Sequence, residues 1–242
     1  MQYPLVGNEE NYVSEDDGSG DLAGIGKVAQ AIPEAGWTKA IDTACDTFSD
    51  LIAPITKTTA GLGALIQAKF DAMIDVQKVF AADAVQRARQ KTQNLIPPEN
   101  QRPSARVLVK AIEEASLESD ENLRDIWANL IANEIHGGAV HPVFPQILSQ
   151  LSASDALVLA QIAEKNAKKT MKAYARALTA SVSVFGFGVT TVLGESSDAH
   201  HEYLDRLGLV EKRDGFWSLT HFGEEFVAAV TDPSFSVASA DV

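Results

Sequence analysis

The chain has 242 residues, 45% of them hydrophobic, which is enough to bury a core in one large or two modest domains. Its formal net charge of −13 opposes general attraction to nucleic acid and to anionic membrane surfaces, because both are negatively charged. The single cysteine, Cys45, excludes an intrachain disulfide and a cysteine zinc cluster, and it fits a reducing compartment.

The first 21 residues are acidic and rich in glycine and serine, which predicts a flexible arm over 1–21. They have neither the basic start nor the apolar run of a secretory signal, so we expect a cytoplasmic protein. A helical domain is predicted over 22–150. Its first long helix is expected from about Leu62 to Gln93, on an apolar stripe of Leu62, Ile66, Phe70, Met73, Ile74 and Phe80.

The next helix is predicted to begin at Arg102-Pro103-Ser104 and to face inward with Val107, Leu108, Ala111, Ile112 and Ala115. The strongest helical spacing follows, with an apolar stripe made of Leu123, Ile126, Trp127, Leu130 and Ile131. Ser119 and Asp120 are candidate N-terminal caps, and Asp120 can also pair with Arg124 on the exposed side. Gly137-Gly138 is expected to end this helix, since glycine adopts the left-handed cap conformation without steric cost.

A further helix is predicted from His141-Pro142, and Ser152 with Asp155 forms a plausible cap for the one after it. Asp214-Gly215 lies between two apolar-containing runs and predicts a two-stranded hairpin. A helix precedes the hairpin, and Thr220 is expected to cap a last helix after it. We therefore predict a mainly α fold: a multi-helix N-terminal domain, then a winged-helix-like domain with a small β-hairpin over 151–231, and a tail over 232–242.

No known catalytic motif is present: the chain has no GxSxG, Walker loop, HExxH or paired cysteine and histidine arrangement. We therefore expect no enzyme activity, no catalytic residues and no cofactor. The pair His200-His201 suggests a metal ligand set, but adjacent histidines point about 100° apart on a helix. The sequence thus favours the absence of a metal site.

Several segments, in order and spacing, resemble the Abi-alpha family. They are Ala53-Pro54, Ile96-Pro97-Pro98-Glu99, Ser119-Asp120-Glu121, Ala128-Asn129-Leu130-Ile131-Ala132, His141-Pro142-x-Phe144 with the run to Ala156, and Leu204-x-Arg206-Leu207-Gly208-Leu209. The resemblance covers roughly 50–230. These are bacterial proteins named for a proposed role in abortive infection, the self-sacrificing defence against phage. The resemblance supplies no catalytic residue and no cofactor.

Candidate partner-binding residues are Trp127, Asn129, Asn133, His141, Lys212 and Arg213. The alternative for His141 is that a histidine before proline fixes a turn or caps backbone groups. For Asn129 and Asn133, which share a helix face with Asp125, the sequence favours a solvated polar face. An exposed Trp127 would mark a partner surface, and a buried one would belong to the core.

Three hypotheses follow. The favoured one is a non-enzymatic interaction protein of the abortive-infection type, whose partner is another protein or a second copy of the chain. The second is a membrane-perturbing effector that uses the amphipathic stretch Leu51–Phe80 or the uncharged run 177–194, although a buried helix end explains that run more simply. The third is a DNA-binding regulator that uses Lys212 and Arg213; the acidic helix over 197–207 disfavours it, since it would repel phosphate.

Overall fold

The computed structural model describes residues 61–95, 103–166, 169–183 and 197–234, together with residues 42, 45, 46, 48 and 49. The four long ranges contain nine helices and one antiparallel hairpin, so the predicted mainly α class is confirmed. The elements are α1 (Leu62–Asp71), α2 (Asp75–Thr92), α3 (Ala105–Ala115), α4 (Glu121–Gly137), α5 (Phe144–Leu148), α6 (Ala153–Asn166), α7 (Lys169–Ser183), α8 (Ser197–Arg206), β1 (Val210–Arg213), β2 (Phe216–Leu219) and α9 (His221–Ala229).

The single long helix predicted from Leu62 to Gln93 is wrong, because the chain breaks between α1 and α2. Ile74 has an extended backbone, and its N–H donates to Oε1 of Gln77 at 3.2 Å, so the Gln77 side chain caps a new helix N-terminus. Asp75 adds a favourable negative charge in the first turn of α2. Ile74, assigned to the apolar stripe, is consequently 65% exposed, whereas Ile66 and Phe70 are buried.

Helix α4 begins and ends as predicted. Oδ1 of Asp120 accepts hydrogen bonds from the backbone N–H groups of Asn122 and Leu123, at 2.8 and 3.1 Å. Gly138 closes the other end in the left-handed conformation, with φ 57°. Every residue of the predicted α4 stripe is buried, including Trp127, as are the five inward-facing residues predicted for α3.

The predicted pairing of Asp120 with Arg124 is not formed. Asp120 is engaged as the helix cap, and the Arg124 guanidinium lies over the Phe80 ring, 4.7 Å from its centroid. Nε of Arg124 is 3.7 Å from Oδ2 of Asp83 on α2. Arg124 therefore connects α4 to α2 instead of stabilising its own helix.

Helix α6 carries the predicted capping arrangement. Ser152 N–H donates to Oδ2 of Asp155 at 2.8 Å, and Asp155 N–H donates to the Ser152 hydroxyl at 3.2 Å. The other oxygen of Asp155 lies 2.7 Å from Nδ1 of His200. This contact joins the start of α6 to α8.

The hairpin and the last helix also follow the prediction. Strands β1 and β2 pair from Val210 with Leu219 to Arg213 with Phe216. Asp214 and Gly215 have φ values of 50° and 81°, as a two-residue turn with the right strand twist requires. The Thr220 side chain accepts from Gly223 N–H at 2.9 Å and caps α9. The order of helix, hairpin and helix is thus established, and the likeness to a winged helix stays a prediction.

Core residues from both predicted domains belong to one hydrophobic cluster, which includes Trp127 of α4, Leu159 of α6 and Phe226 of α9. The boundary near residue 151 stays a prediction. The predicted arm over 1–21, most of the segment 22–60, the second half of the uncharged run (184–194) and the tail from 235 onward lie outside the described residues. Among the helices that the structure describes, none is long and apolar enough to cross a membrane.

Candidate functional site

A cleft of about 720 Å³ lies between the corner that joins α4 to α5 and the second half of α9. It contains two of the predicted binding residues, Asn133 and His141. Six of the other lining residues have small side chains, since they are glycine, alanine or serine. The other lining residues are Ser104, His136, Gly137, Gly138, Ala139, Val140, Pro142, Phe144, Tyr174, Glu225, Ala228 and Ala229.

A buried carboxylate behind the cleft wall holds the corner in place. Glu134 is fully buried, and its two oxygens accept from the backbone N–H groups of Ser104 and, at 3.1 Å, of Val140. Burial raises the pKa of Glu134 above its ordinary value near 4.5, while the hydrogen bonds from Ser104 and Val140 act in the opposite direction. Glu134 thus fastens the start of α3 to the α4–α5 corner.

His141 has the structural role that the sequence offered as its alternative. Its Nδ1 accepts a hydrogen bond from Val143 N–H at 3.3 Å and so stabilises the turn that leads into α5. The ring centroid is 5.5 Å from that of Phe144 and 5.8 Å from that of Phe222. Phe144 also packs against Phe226, with 5.3 Å between centroids, so an aromatic cluster supports this side of the cleft.

The predicted solvated polar face of Asn129 and Asn133 is wrong. Asn129 is fully buried and donates to the carbonyl of Val230 at 3.0 Å. Nδ2 of Asn133 lies within 2.9 Å of the carbonyl oxygens of Ala229 and Thr231. The carbonyl groups at a helix C-terminus have no partner within their own helix, so these amides supply donors for the end of α9.

The charge of the cleft comes from an acidic residue that the sequence reasoning missed. Among the described residues that line the cleft, and with histidines counted as neutral, only Glu225 carries a formal charge. Its Oε1 lies 3.3 Å from Nε2 of His221. The negative end of the α4 dipole also lies here, since α4 ends at Gly137. Nothing in the local sequence around Glu225 signals this position, because only the tertiary fold brings α9 to the α4–α5 corner.

The remaining predicted residues lie away from the cleft. Trp127 is 1% exposed and belongs to the core, so this structure does not present it to a partner. Lys212 lies with Nζ 5.4 Å from the centroid of Trp217, and the exposed Arg213 pairs with Glu211 at 2.6 Å. Partner binding by Lys212 and Arg213 stays a prediction.

A second hollow, of about 650 Å³, lies beside α2 and is polar. Nζ of Lys91 is 3.0 Å from Oδ1 of Asp125 and 3.5 Å from Oδ2 of Asp232, while Arg87 pairs with Asp83 at 3.0 Å. Each of these two cations already has a carboxylate partner, so the network connects α2, α4 and the segment after α9. Neither Lys91 nor Arg87 is therefore left without a carboxylate partner to bind an anionic ligand.

His200 and His201, the pair considered for metal binding, have different surroundings. His200 contacts Asp155, and the ring of His201 stacks on Trp217 with 5.4 Å between centroids. Within the part of the chain that the structure describes, no three His, Cys, Asp or Glu side chains are grouped so that they could hold a metal ion.

The family model described as abortive infection alpha matches residues 80–230, a range that contains the whole cleft. No curated protein and no solved structure shows a significant match to the chain.

Proposed function

Since the chain belongs to the abortive infection alpha family, we propose that it acts in abortive infection, as a defence against phage, by binding another protein and without catalysing a reaction. The family suggests the defence role. The mechanism by protein contact is our inference. It is supported by the position of the cleft inside the matched range and by the way in which its polar groups are used.

Those polar groups hold the backbone together. The Asn133 amide contacts the carbonyls of Asn129, Ala229 and Thr231, and both Glu134 oxygens accept from backbone N–H groups. A surface fixed in this way is preorganised, and preorganisation reduces the entropy lost when a partner binds. We infer that the cleft is a fixed recognition surface and that the Asn133 amide and the Glu134 carboxylate serve the fold.

The two other hypotheses find less support. The membrane hypothesis relies on the stretch Leu51–Phe80 or on the run 177–194, but in the described part of the first stretch Ile66 and Phe70 are each 1% exposed and lie in the core. The DNA hypothesis relies on Lys212 and Arg213, but Glu211 pairs with Arg213, and α8 exposes Glu202 and Asp205. We therefore propose neither.

The defence role is tested in bacteria that express the full chain from an inducible promoter. We expect either growth arrest on induction or a reduced efficiency of plating for at least one phage of a panel. A strain with Trp127→Ala, in which the core is disrupted, serves as the control at matched protein level. Normal growth together with unchanged plating across the panel would contradict the proposal.

The non-catalytic mechanism has its own test. Purified full-length protein is incubated with radiolabelled DNA, RNA and nucleoside triphosphates over a time course. We expect less than one turnover per protein molecule. Multiple turnovers that disappear in the Trp127→Ala protein would show that the chain is an enzyme.

A further inference from the structure

We propose that the cleft between the α4–α5 corner and α9 binds a lysine or arginine side chain on a basic segment of a partner protein. The inference rests on the proposed protein-binding function and names the chemistry of the partner. Four features carry it: the charge of the cleft, its aromatic lining, its size and the net charge of the chain.

The electrostatics favour a cation. Glu225 is the one formally charged residue among the described lining residues, and its side chain is 52% exposed. Its contact with His221 is open to water, since the His221 side chain is 86% exposed, and such exposed contacts give way to a competing cation. The C-terminal end of α4 adds the negative end of a helix dipole.

The aromatic lining suits the rest of such a side chain. Tyr174, which is partly exposed, and His141, which is exposed, both line the cleft, whereas Phe144 also lines it but is only 2% exposed. The faces of aromatic rings attract ammonium and guanidinium groups, and the methylene stem of lysine or arginine packs on apolar surface while its charged end stays solvated. An acidic or neutral side chain would gain only the apolar part of this contact.

The size of the cleft and the net charge of the molecule also favour a basic protein segment. A volume of about 720 Å³ lies in the range of protein pockets that hold small ligands, so it takes one long side chain with the residues on either side of it. The net charge of −13 attracts basic proteins over a distance and speeds their association. We therefore infer a basic protein segment as the occupant.

The test is a titration of ¹⁵N-labelled full-length protein with two probes that have the same stem. N-acetyl-lysine-N-methylamide carries the charge, and N-acetyl-norleucine-N-methylamide lacks it. We expect the lysine probe to shift the amide signals of Gly138, Ala139 and Val140, with a Kd about fivefold or more below that of the norleucine probe, since ion pairing and cation–π contact apply only to the charged probe.

A matched pair of variants identifies the carboxylate. Glu225→Gln is expected to weaken the lysine probe about fivefold. Glu224→Gln is the control, because Glu224 also contacts His221, at 3.9 Å, but does not line the cleft. We expect the control to bind the lysine probe as the unmodified chain does, and thermal unfolding confirms that both variants are folded.

Three results would overturn the inference: equal binding of the two probes, unchanged binding in the Glu225→Gln protein, or binding of spermidine at these amides without binding of the lysine probe. The last would indicate a free polyamine as the occupant. The titration is independent of the phage assay. Phage protection without lysine binding removes only this inference, and lysine binding without protection or growth arrest removes only the defence role.

Discussion

Trp127 is the largest fully buried side chain that the structure describes, and its ring fills the core beneath α4. Trp127→Ala is expected to lower the free energy of unfolding by about 3–5 kcal/mol, because it removes buried apolar surface and leaves a cavity. Urea unfolding measures the change. Phe216→Ala, at a side chain that is 72% exposed, is the control and should change stability by less than about 0.5 kcal/mol. Equal effects of the two substitutions would contradict the buried position of Trp127.

Glu134 is the residue that fastens α3 to the α4–α5 corner. In Glu134→Gln the amide offers one acceptor oxygen to two backbone donors, so either Ser104 N–H or Val140 N–H loses its partner. We expect a loss of about 1–3 kcal/mol, the cost of a buried unsatisfied donor, measured by urea unfolding at constant pH. The exposed Glu225→Gln change is the control and should leave stability nearly unaltered.

The same residue makes stability depend on pH. Its folded-state pKa is raised above the ordinary value near 4.5, so the folded chain binds this proton more tightly than the unfolded chain does. The resulting contribution of Glu134 to the free energy of unfolding is fully present below about pH 4.5 and is lost as the pH rises through the folded-state pKa. We expect the difference in unfolding free energy between the unmodified chain and Glu134→Gln to shrink from pH 4 to pH 7.5, and a difference that grows would contradict this.

At the residue scale, the sequence predicts what is local. The caps at Asp120, Ser152 and Thr220 are confirmed. They are predictable because donor and acceptor lie within three residues of each other. Asn129 and Asn133 were misassigned because their acceptors lie about a hundred residues further on. A polar residue on a helix has the same sequence pattern whether water or a distant carbonyl satisfies it.

At the scale of elements, α9 packs closely on the end of α8 and the start of the hairpin. A Cβ at Gly223 would lie 1.9 Å from the carbonyl oxygen of Leu209, which also accepts from Thr220 N–H at 3.1 Å. Gly223→Ala therefore has to push α9 away from that backbone, and we expect a loss of about 1–3 kcal/mol or more, measured by thermal unfolding.

A second glycine controls for the effect of glycine replacement itself. Gly215 has φ 81°, and a Cβ there would meet no described atom within 4 Å. Asparagine tolerates the left-handed conformation, so Gly215→Asn should cost less than Gly223→Ala. A larger loss of stability in Gly215→Asn would show that the turn conformation matters more for stability than the close approach at Gly223.

The elements also show where periodicity fails as a guide. Hydrophobic spacing predicts α3 and α4 correctly, because each has a single apolar stripe. The same spacing predicts α1 and α2 as one helix, because the apolar stripe continues across the break. The new helix is marked by a single hydrogen bond between Gln77 and the backbone of Ile74. Glutamine is common within helices, so its capping role could not be inferred from the sequence.

At the scale of the molecule, Lys91 joins three parts of the fold. Its ammonium group contacts Asp125 of α4 and Asp232 after α9, and its side chain is only 16% exposed. Lys91→Met leaves these two carboxylates without their shared cation, and we expect a loss of about 1–3 kcal/mol.

The control is Lys110→Met, which removes a pair with Glu114 inside one helix at a side chain that is 47% exposed. We expect it to cost about 0–0.5 kcal/mol. Urea unfolding at low and high salt measures both variants. Salt should reduce the smaller effect more, because exposed charges are screened more than partly buried ones. Equal losses of unfolding free energy in the two variants would show that the contacts of Lys91 with Asp125 and Asp232 do not stabilise the fold.

The fold class and the family could be predicted from the sequence, because both depend on strings of neighbouring residues. The cleft could not. It is made by Ser104, the α4–α5 corner, Tyr174 and Glu225, which are widely separated along the chain and meet only through packing. Of its lining residues, sequence reasoning identified Asn133 and His141 as candidates, and both proved to be engaged with the backbone.

The hydrogen bonds from Asn129 and Asn133 to the end of α9 can form only late in translation. The donors are translated 96 to 101 residues before their acceptors, which at about 5–20 residues per second is an interval on the order of 5–20 seconds. During that time the Asn129 and Asn133 amides lack their carbonyl partners at the end of α9. A nascent chain that stops before Ala229 therefore lacks all three of these hydrogen bonds. The hydrogen bonds between α4 and the end of α9 can form only after the last turn of α9 has been translated.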